Sequence, residues 1–196
     1  MSAPDRSTLV LAERPRSLVQ LLARRGRADA LAAAIKTVFG LDLPQPGKWS
    51  AGVEVDAIWI QPGGWLLEAE PAPPGVFRAR VATAAANLGA ATDQSSGRSV
   101  IRLEGAAARS VLATVCRLDL HPRVFGPGSS AATRVAHVAC VIRLVDEKPS
   151  FDLIVGSSYA RWLIEDILEA SHAWGVRFDR APAPYRSAMP AQETAR

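Results

Sequence analysis

The residues that could do chemistry are few and widely spaced. Ser95 or Ser96 with His121 and Asp119 would supply a nucleophile, a base and an orienting carboxylate. Neither serine lies in a nucleophile elbow, the sharp strand-to-helix turn that exposes such a hydroxyl. Cys116 with His121 is a better placed pair, since a thiolate needs a nearby base. A small buried residue closing a helix is the competing and favoured reading of Cys116. His121, His137 and His172 could join a cysteine or carboxylate around a metal ion, yet none stand at i, i+4 or beside a Cys-x-x-Cys pair. His137 falls in a strand pattern and reads as packed. Trp49, Trp59, Trp65, Trp162 and Trp174 could stack on a flavin or pterin ring; scattered as they are, they read as core or interface anchors. Pro62-Gly63-Gly64 and Gly126-Pro127-Gly128 do not join strand to helix in the frame of a phosphate loop and read as turns.

One stretch concentrates polar and rigid residues: DLHPRVFGPGSS at 119–130. Irregular segments of this kind carry contacts more often than core. Pro122 and Pro127 stiffen it, lowering the entropy lost when a partner or ligand binds. A rigid connector is the plainer alternative.

The elements that must position these residues follow from periodicity. Leu18 to Leu22 reads as a strand, and Ala28 to Phe39 as a helix with Leu31, Ile35, Val38 and Phe39 on one face, ended by Gly40. Val55 to Ile60 and Trp65 to Ala69 flank a hairpin turn, Phe77 to Leu88 is a second helix, and Ala91 to Ser95 a strand. This is the split βαββαβ, ferredoxin-like order. A similar order follows: strand Ser99 to Leu103, helix Ala106 to Val115, strands Ala131 to Ala136, Val138 to Leu144 and Phe151 to Val155. A helix from Tyr159 to Ala170, capped by Ser157, and a short strand around Val176-Arg177-Phe178 complete it. In that last helix Tyr159, Trp162, Leu163 and Ile167 share a face. The expected organisation is an N-terminal extension (1–16), a first α+β half (17–97), a second (98–179) and a flexible C-terminal tail (180–196) that stays unstructured unless a partner orders it. A doubly wound parallel sheet is disfavoured, because hairpin signals outnumber helical crossovers.

Composition bounds the function. The chain has 196 residues, 48% hydrophobic and 21% charged, enough to bury one large core or two small ones. No run approaches the roughly 18 apolar residues of a membrane span, and the start lacks the layout of a secretory signal, so a cytoplasmic protein is expected. Cys116 and Cys140 are too few for a disulfide scaffold and are expected to be reduced and buried. A net charge of +4 and an isoelectric point near 9.6 could suggest nucleic acid, but the bases are scattered among acids and form no stripe. Twenty of the 23 bases are arginine, a bias that suits bidentate pairing at interfaces and that GC-rich codons would equally produce.

Three segments carry a resemblance. ATDQSSGRSVIRLEG at 91–105, CRLDLHPRVFGPGSSAAT at 116–133 and FDLIVGSSYARWLIEDIL at 151–168 resemble, in order and spacing, the gamma subunit of heterotetrameric sarcosine oxidase. The resemblance runs from about Ser17 to Trp174, with the Asp119 to Arg123 block most specific. The first half is supported mainly by Leu41-Asp42-Leu43-Pro44 and Gly63-Gly64-Trp65-Leu66. Two departures stand out: the family commonly has proline where this chain has Arg117, and Cys-Ala-Gln-Thr where it has Ser130-Ala131-Ala132-Thr133. Related assemblies such as N-methylglutamate dehydrogenase have a gamma-like subunit of similar pattern.

The resemblance implies a fold like the folate-binding domain of aminomethyltransferases. It also implies a complex that oxidatively demethylates sarcosine to glycine and passes the one-carbon unit to tetrahydrofolate. FAD, covalently attached FMN, NAD and tetrahydrofolate would belong to the alpha and beta subunits, and zinc to the delta subunit. This chain would carry no cofactor or metal, have no catalytic residue, and pack on the alpha subunit, with no nucleic-acid or membrane partner. Arg98, Asp119, His121 and Arg123 are the residues expected to make ordered loop or intersubunit contacts. The rival is a stand-alone folate-dependent one-carbon transferase, for which Asp93 and Asp152 are the candidate pterin-binding carboxylates.

Overall fold

The computed structural model describes residues 9–179. Strand β1 (Leu9–Arg14) is followed by β2 (Ser17–Ala23) and helix α1 (Ala28–Phe39). Leu31 and Ile35, four apart on one face of α1, are fully buried, and Asp29 and Lys36 oppose the helix dipole at its two ends. Gly40 closes the helix at φ 62°, a conformation that costs a residue with a Cβ more, and its N–H bonds Lys36 O. Val38, expected on the buried face, is 57% exposed. The last turn packs instead through Phe39, whose ring lies 5.5 Å beneath the Arg80 guanidinium.

The chain continues through β3 (Trp49–Ser50), β4 (Val55–Gln61), β5 (Gly64–Ala69), α2 (Val76–Ala85) and β6 (Gly89–Asp93). The expected extension of α2 to Leu88 fails because Ala86 turns left-handed at φ 45°. That early turn brings Gly89 against β2, where a Cβ would meet Leu22 O at 2.9 Å and Leu31 Cδ2 at 3.0 Å. The five strands form one antiparallel sheet in the order β3-β4-β5-β2-β6. Leaving out the two-residue β3, this is the expected split βαββαβ arrangement.

The second sheet is built from β7 (Arg98–Glu104), α3 (Ala108–Val115), β8 (Ser130–Val135), β9 (Val138–Asp146), β10 (Ser150–Gly156), α4 (Ala160–Ala170) and β11 (Val176–Asp179). Its order is β11-β1-β7-β10-β9-β8. The N-terminal segment, for which the sequence reading assigned no element, thus supplies a strand wedged between β7 (antiparallel) and β11 (parallel). Leu9 and Leu11 point into the core beneath the helices, and Val10 between them does not, as a half-buried strand requires. Ser157 does not cap α4; its hydroxyl donates to Ser96 O, and Ser157–Tyr159 form a single 3-10 turn. The tail of 180–196 lies outside the described residues.

Alternation along the strands decides the layers. Val19, Leu21, Ala57 and Leu67 face α1 and α2, whereas Leu9, Leu11, Ile101 and Leu103 face α3 and α4. The opposite faces of the two sheets meet through Leu18, Ile58 and Leu66 on one side and Val100, Val141 and Ile154 on the other. Four layers result, helix, sheet, sheet, helix, with each of these central side chains contributing roughly 1.5–3 kcal/mol by burial. Among the described residues no helix is long and apolar enough to cross a membrane.

Candidate functional site

Two residues along from each of these six central apolar residues stands a charged residue on the same face. Arg16 precedes Leu18, Asp56 precedes Ile58 and Glu68 follows Leu66; Arg102 follows Val100, Arg143 follows Val141 and Asp152 precedes Ile154. The strand period of two therefore gathers three arginines and three carboxylates in one layer. Asp152 is 0% exposed. Arg102 grips it with Nε at 2.7 Å from Oδ1 and Nη2 at 2.8 Å from Oδ2. Arg143 adds Nε at 2.9 Å and Nη2 at 2.8 Å to Oδ2. Arg143 then crosses to the other sheet, with Nη2 2.9 Å from Glu68 Oε2 and Nη1 3.2 Å from Asp56 Oδ2. The Arg143–Glu68 approach is a charge contact rather than an aligned hydrogen bond. Arg16 holds the other Glu68 oxygen at 3.0 Å. The Trp49 ring lies 4.7 Å from the Arg143 guanidinium carbon, and its Nε1 donates to Leu144 O at 2.8 Å.

Burial alone would raise the Asp152 carboxyl, but the hydrogen bonds from Arg102 and the charge of Arg143 outweigh it and hold the group below the usual carboxylate range. For Glu68 the balance reverses: burial pushes its carboxyl up more than Arg143 and Arg16 lower it. A cleft of about 510 Å³ opens over this layer, with Val53 and Val76 at its rim. Asp152, held from two sides by guanidinium groups, has no free oxygen to offer a pterin amine. Asp93 stands exposed on β6, where its Oδ1 accepts the Ser95 N–H.

The stretch at 119–130 is organised differently. Asp119 Oδ1 accepts the His121 N–H at 2.9 Å, and His121 Nδ1 accepts the Arg123 N–H at 3.2 Å. His121 O receives the N–H groups of Val124 and Phe125. These three expected residues do share one turn, and all three are exposed. Arg98 stands apart, at the start of β7 opposite Gly156. Sequence reasoning missed the group that holds the turn down. Arg109 Nη1, on α3, donates to Leu120 O and, at 3.1 Å, to Phe125 O, while its guanidinium lies 5.3 Å from the Phe151 ring. Phe125 stacks on Phe151. The loop's far end is sewn to the first half: Trp49 N–H donates to Gly128 O, and Ser130 N–H to Gly47 O.

The imagined nucleophiles are otherwise engaged. Ser95 Oγ accepts the Leu18 N–H at 3.0 Å and so ties its segment to β2. Cys116 is buried at the end of α3, 4.0 Å from Thr133 Oγ1, and both cysteines are unpaired. Burial pushes the Cys140 thiol up to about 12. His137 is not packed in a strand; it sits exposed in the β8–β9 turn at φ 71°, beside Ala136 at φ 46°. Among the described residues no three His, Cys, Asp or Glu side chains converge as a metal site would need.

This architecture and these sequence features have counterparts. Residues 24–173 match the sarcosine oxidase, gamma subunit family. The sarcosine oxidase subunit gamma of Arthrobacter sp is 32% identical over 142 residues, 70% of each chain. That of Corynebacterium sp. (strain U-96) is 32% identical over 147 residues, 72% of this chain and 71% of the relative. A chain of the heterotetrameric sarcosine oxidase from Corynebacterium sp. U-96, solved in complex with pyrrole 2-carboxylate, superposes with a TM-score of 0.75. It is 27% identical, and the match covers 88% of this chain and 90% of that one. The glycine cleavage system aminomethyltransferase T from Bartonella henselae shares the fold, with a TM-score of 0.67 at 14% identity over 88% of this chain and 48% of that one. With a family match over most of its length and the same fold in a solved relative, the chain belongs to the sarcosine oxidase gamma subunit family.

Proposed function

We propose that this chain is the non-catalytic structural subunit of a cytoplasmic sarcosine oxidase-type complex, packed on the larger alpha subunit alongside beta and delta subunits. The complex demethylates sarcosine to glycine and hands the one-carbon unit to tetrahydrofolate. FAD, FMN, NAD and folate chemistry is supplied by the larger subunits, and the delta subunit holds zinc. The observation that carries the reading, beside family membership, is the commitment of the buried charges. Asp152 is bound by two arginines of its own sheet, and one of them, Arg143, reaches Glu68 and Asp56 of the other, so Asp152 holds the arginine that joins the sheets rather than moving a proton. The turn of Asp119, His121 and Arg123 is then the contact element. Arg109 holds it rigid from beneath, and Arg123 and the 63% exposed Val124 face outward. Arg98 offers a second contact point on β7.

The test is a tagged pull-down of the chain from its native cells, with mass spectrometry and a visible absorption spectrum of the eluate. Co-eluting larger subunits with a flavin spectrum are expected, and turnover with sarcosine rather than N-methylglutamate would fix the substrate. A colourless, solitary chain that binds tetrahydrofolate by calorimetry would overturn the proposal.

A further inference from the structure

Helix α4 presents two faces of opposite character. Ala160, Leu163 and Ile167 are buried against the second sheet, as its amphipathic period demands. On the outer side Tyr159 and Trp162 stand 58% and 66% exposed, although the sequence pattern had put them with Leu163 and Ile167. Large aromatic groups projecting from a surface are the residue type most enriched in interface anchors. Tyr159, Trp162, Asp166 and Glu169 follow one another at spacings of three and four, so they form a single stripe along α4. At 1.5 Å per residue the stripe runs about 10 Å from Trp162 to Glu169. Its acidic end forms one wall of a cleft of about 920 Å³, whose opposite wall carries Arg117, Arg134 and His137. Arg134 is turned toward the His137 carbonyl, and Arg161 pairs with Glu165 on the neighbouring row. Among the described residues, Asp166 and Glu169 have no cationic group within ion-pair distance.

We propose that this stripe is a docking surface for a segment of a larger subunit of the same assembly. That segment lays an apolar side chain against Trp162 and Tyr159 and brings a lysine or arginine to Asp166 and Glu169. The choice of occupant rests on the subunit reading above and on charge: an aromatic anchor followed within one helical span by two carboxylates that form no ion pair among the described residues fits a partner that is apolar and then basic. The surface lies on the outer helix layer of the second half, and the cleft at its acidic end reaches Arg117, two residues before the turn at 119–125.

A photo-crosslinking amino acid placed at position 162 of the chain in the assembled complex tests it. Cross-links to a larger subunit, mapped by mass spectrometry to a segment with a basic residue, are expected. Cross-links only to the chain's own residues 180–196, to a second copy, or to nothing in an intact complex would overturn the inference. In parallel, Trp162→Ala combined with Asp166→Lys is expected to lower the recovered complex at least tenfold, with the melting temperature of the chain unchanged. Val38→Ala, an exposed apolar change on α1, is expected to leave recovery intact. If the wild-type chain recovers no flavin-bearing partner, the subunit reading falls and this inference with it. If it does and the double variant recovers as much, only the docking surface is wrong.

Discussion

The charged layer between the sheets and the turn at 119–125 use the same vocabulary of carboxylate and arginine and put it to opposite uses. Between the sheets, Asp152, Glu68 and Arg143 are removed from water and Arg102 is half-buried beside them, so the buried three depend on this group for the interactions they gave up. In the turn, Asp119 and His121 bond only the backbone of their own segment, and water can replace them. The difference teaches that the identity of a polar residue says little about its role until the covering surface is known. Desolvated, an ion pair becomes an obligatory part of the fold; solvated, it shapes a loop and leaves its outer atoms for a partner.

The comparison can be broken most sharply at Asp152. Asp152→Ala takes from the buried Arg143 and the half-buried Arg102 the carboxylate that both hydrogen-bond, and is expected to cost about 3–5 kcal/mol in chemical denaturation; a cost below about 1 kcal/mol would erase the distinction. Arg109→Ala, which strips the Leu120 and Phe125 carbonyls of their donor, is expected to cost about 1–3 kcal/mol. Hydrogen exchange in 120–125 should speed up before the rest of the second half does. The two buried acids should then respond to pH with opposite signs. Glu68 binds its proton more tightly folded than unfolded, so stability declines as pH rises from 4.5 through its raised folded value, and Glu68→Gln should flatten that slope in denaturation midpoints. Asp152 binds its proton less tightly when folded, so its contribution is complete above 3.8 and is lost as pH falls below that toward its depressed value. Smallest in stability is Arg123→Ala, expected within about 0.5 kcal/mol of wild type. Its effect should appear in assembly instead, with a larger loss of co-purified subunits than Arg25→Ala, another exposed arginine, produces.

Much of the fold was legible because local signals agreed. The 12-residue apolar periodicity of α1 with Gly40 behind it, and the Pro62-Gly63-Gly64 turn between two apolar runs, each have one low-energy outcome. Strand β1 was missed because four apolar residues beside charged ones weigh little until β7 and β11 offer partners on both sides. Of the site residues, the clustering of Asp119, His121 and Arg123 was visible in an irregular, proline-stiffened stretch. Arg109 was not, since a single arginine on a helix carries no sign of the loop it will hold. The inter-sheet layer did leave a trace, a charge two residues from an apolar position on six strand segments. Only knowledge of which faces meet turns that trace into a site.

The sequence by itself determined most of the elements, the antiparallel hairpins of both halves and the family, because periodicity, turn residues and ordered motifs act over short spans. Tertiary structure alone decided that the N-terminal strand belongs to the second sheet and that Asp152 is buried between two arginines. It also decided that Trp162 faces outward. Each of these depends on desolvation by a distant surface, and burial is a property of the assembled layers that no local pattern contains.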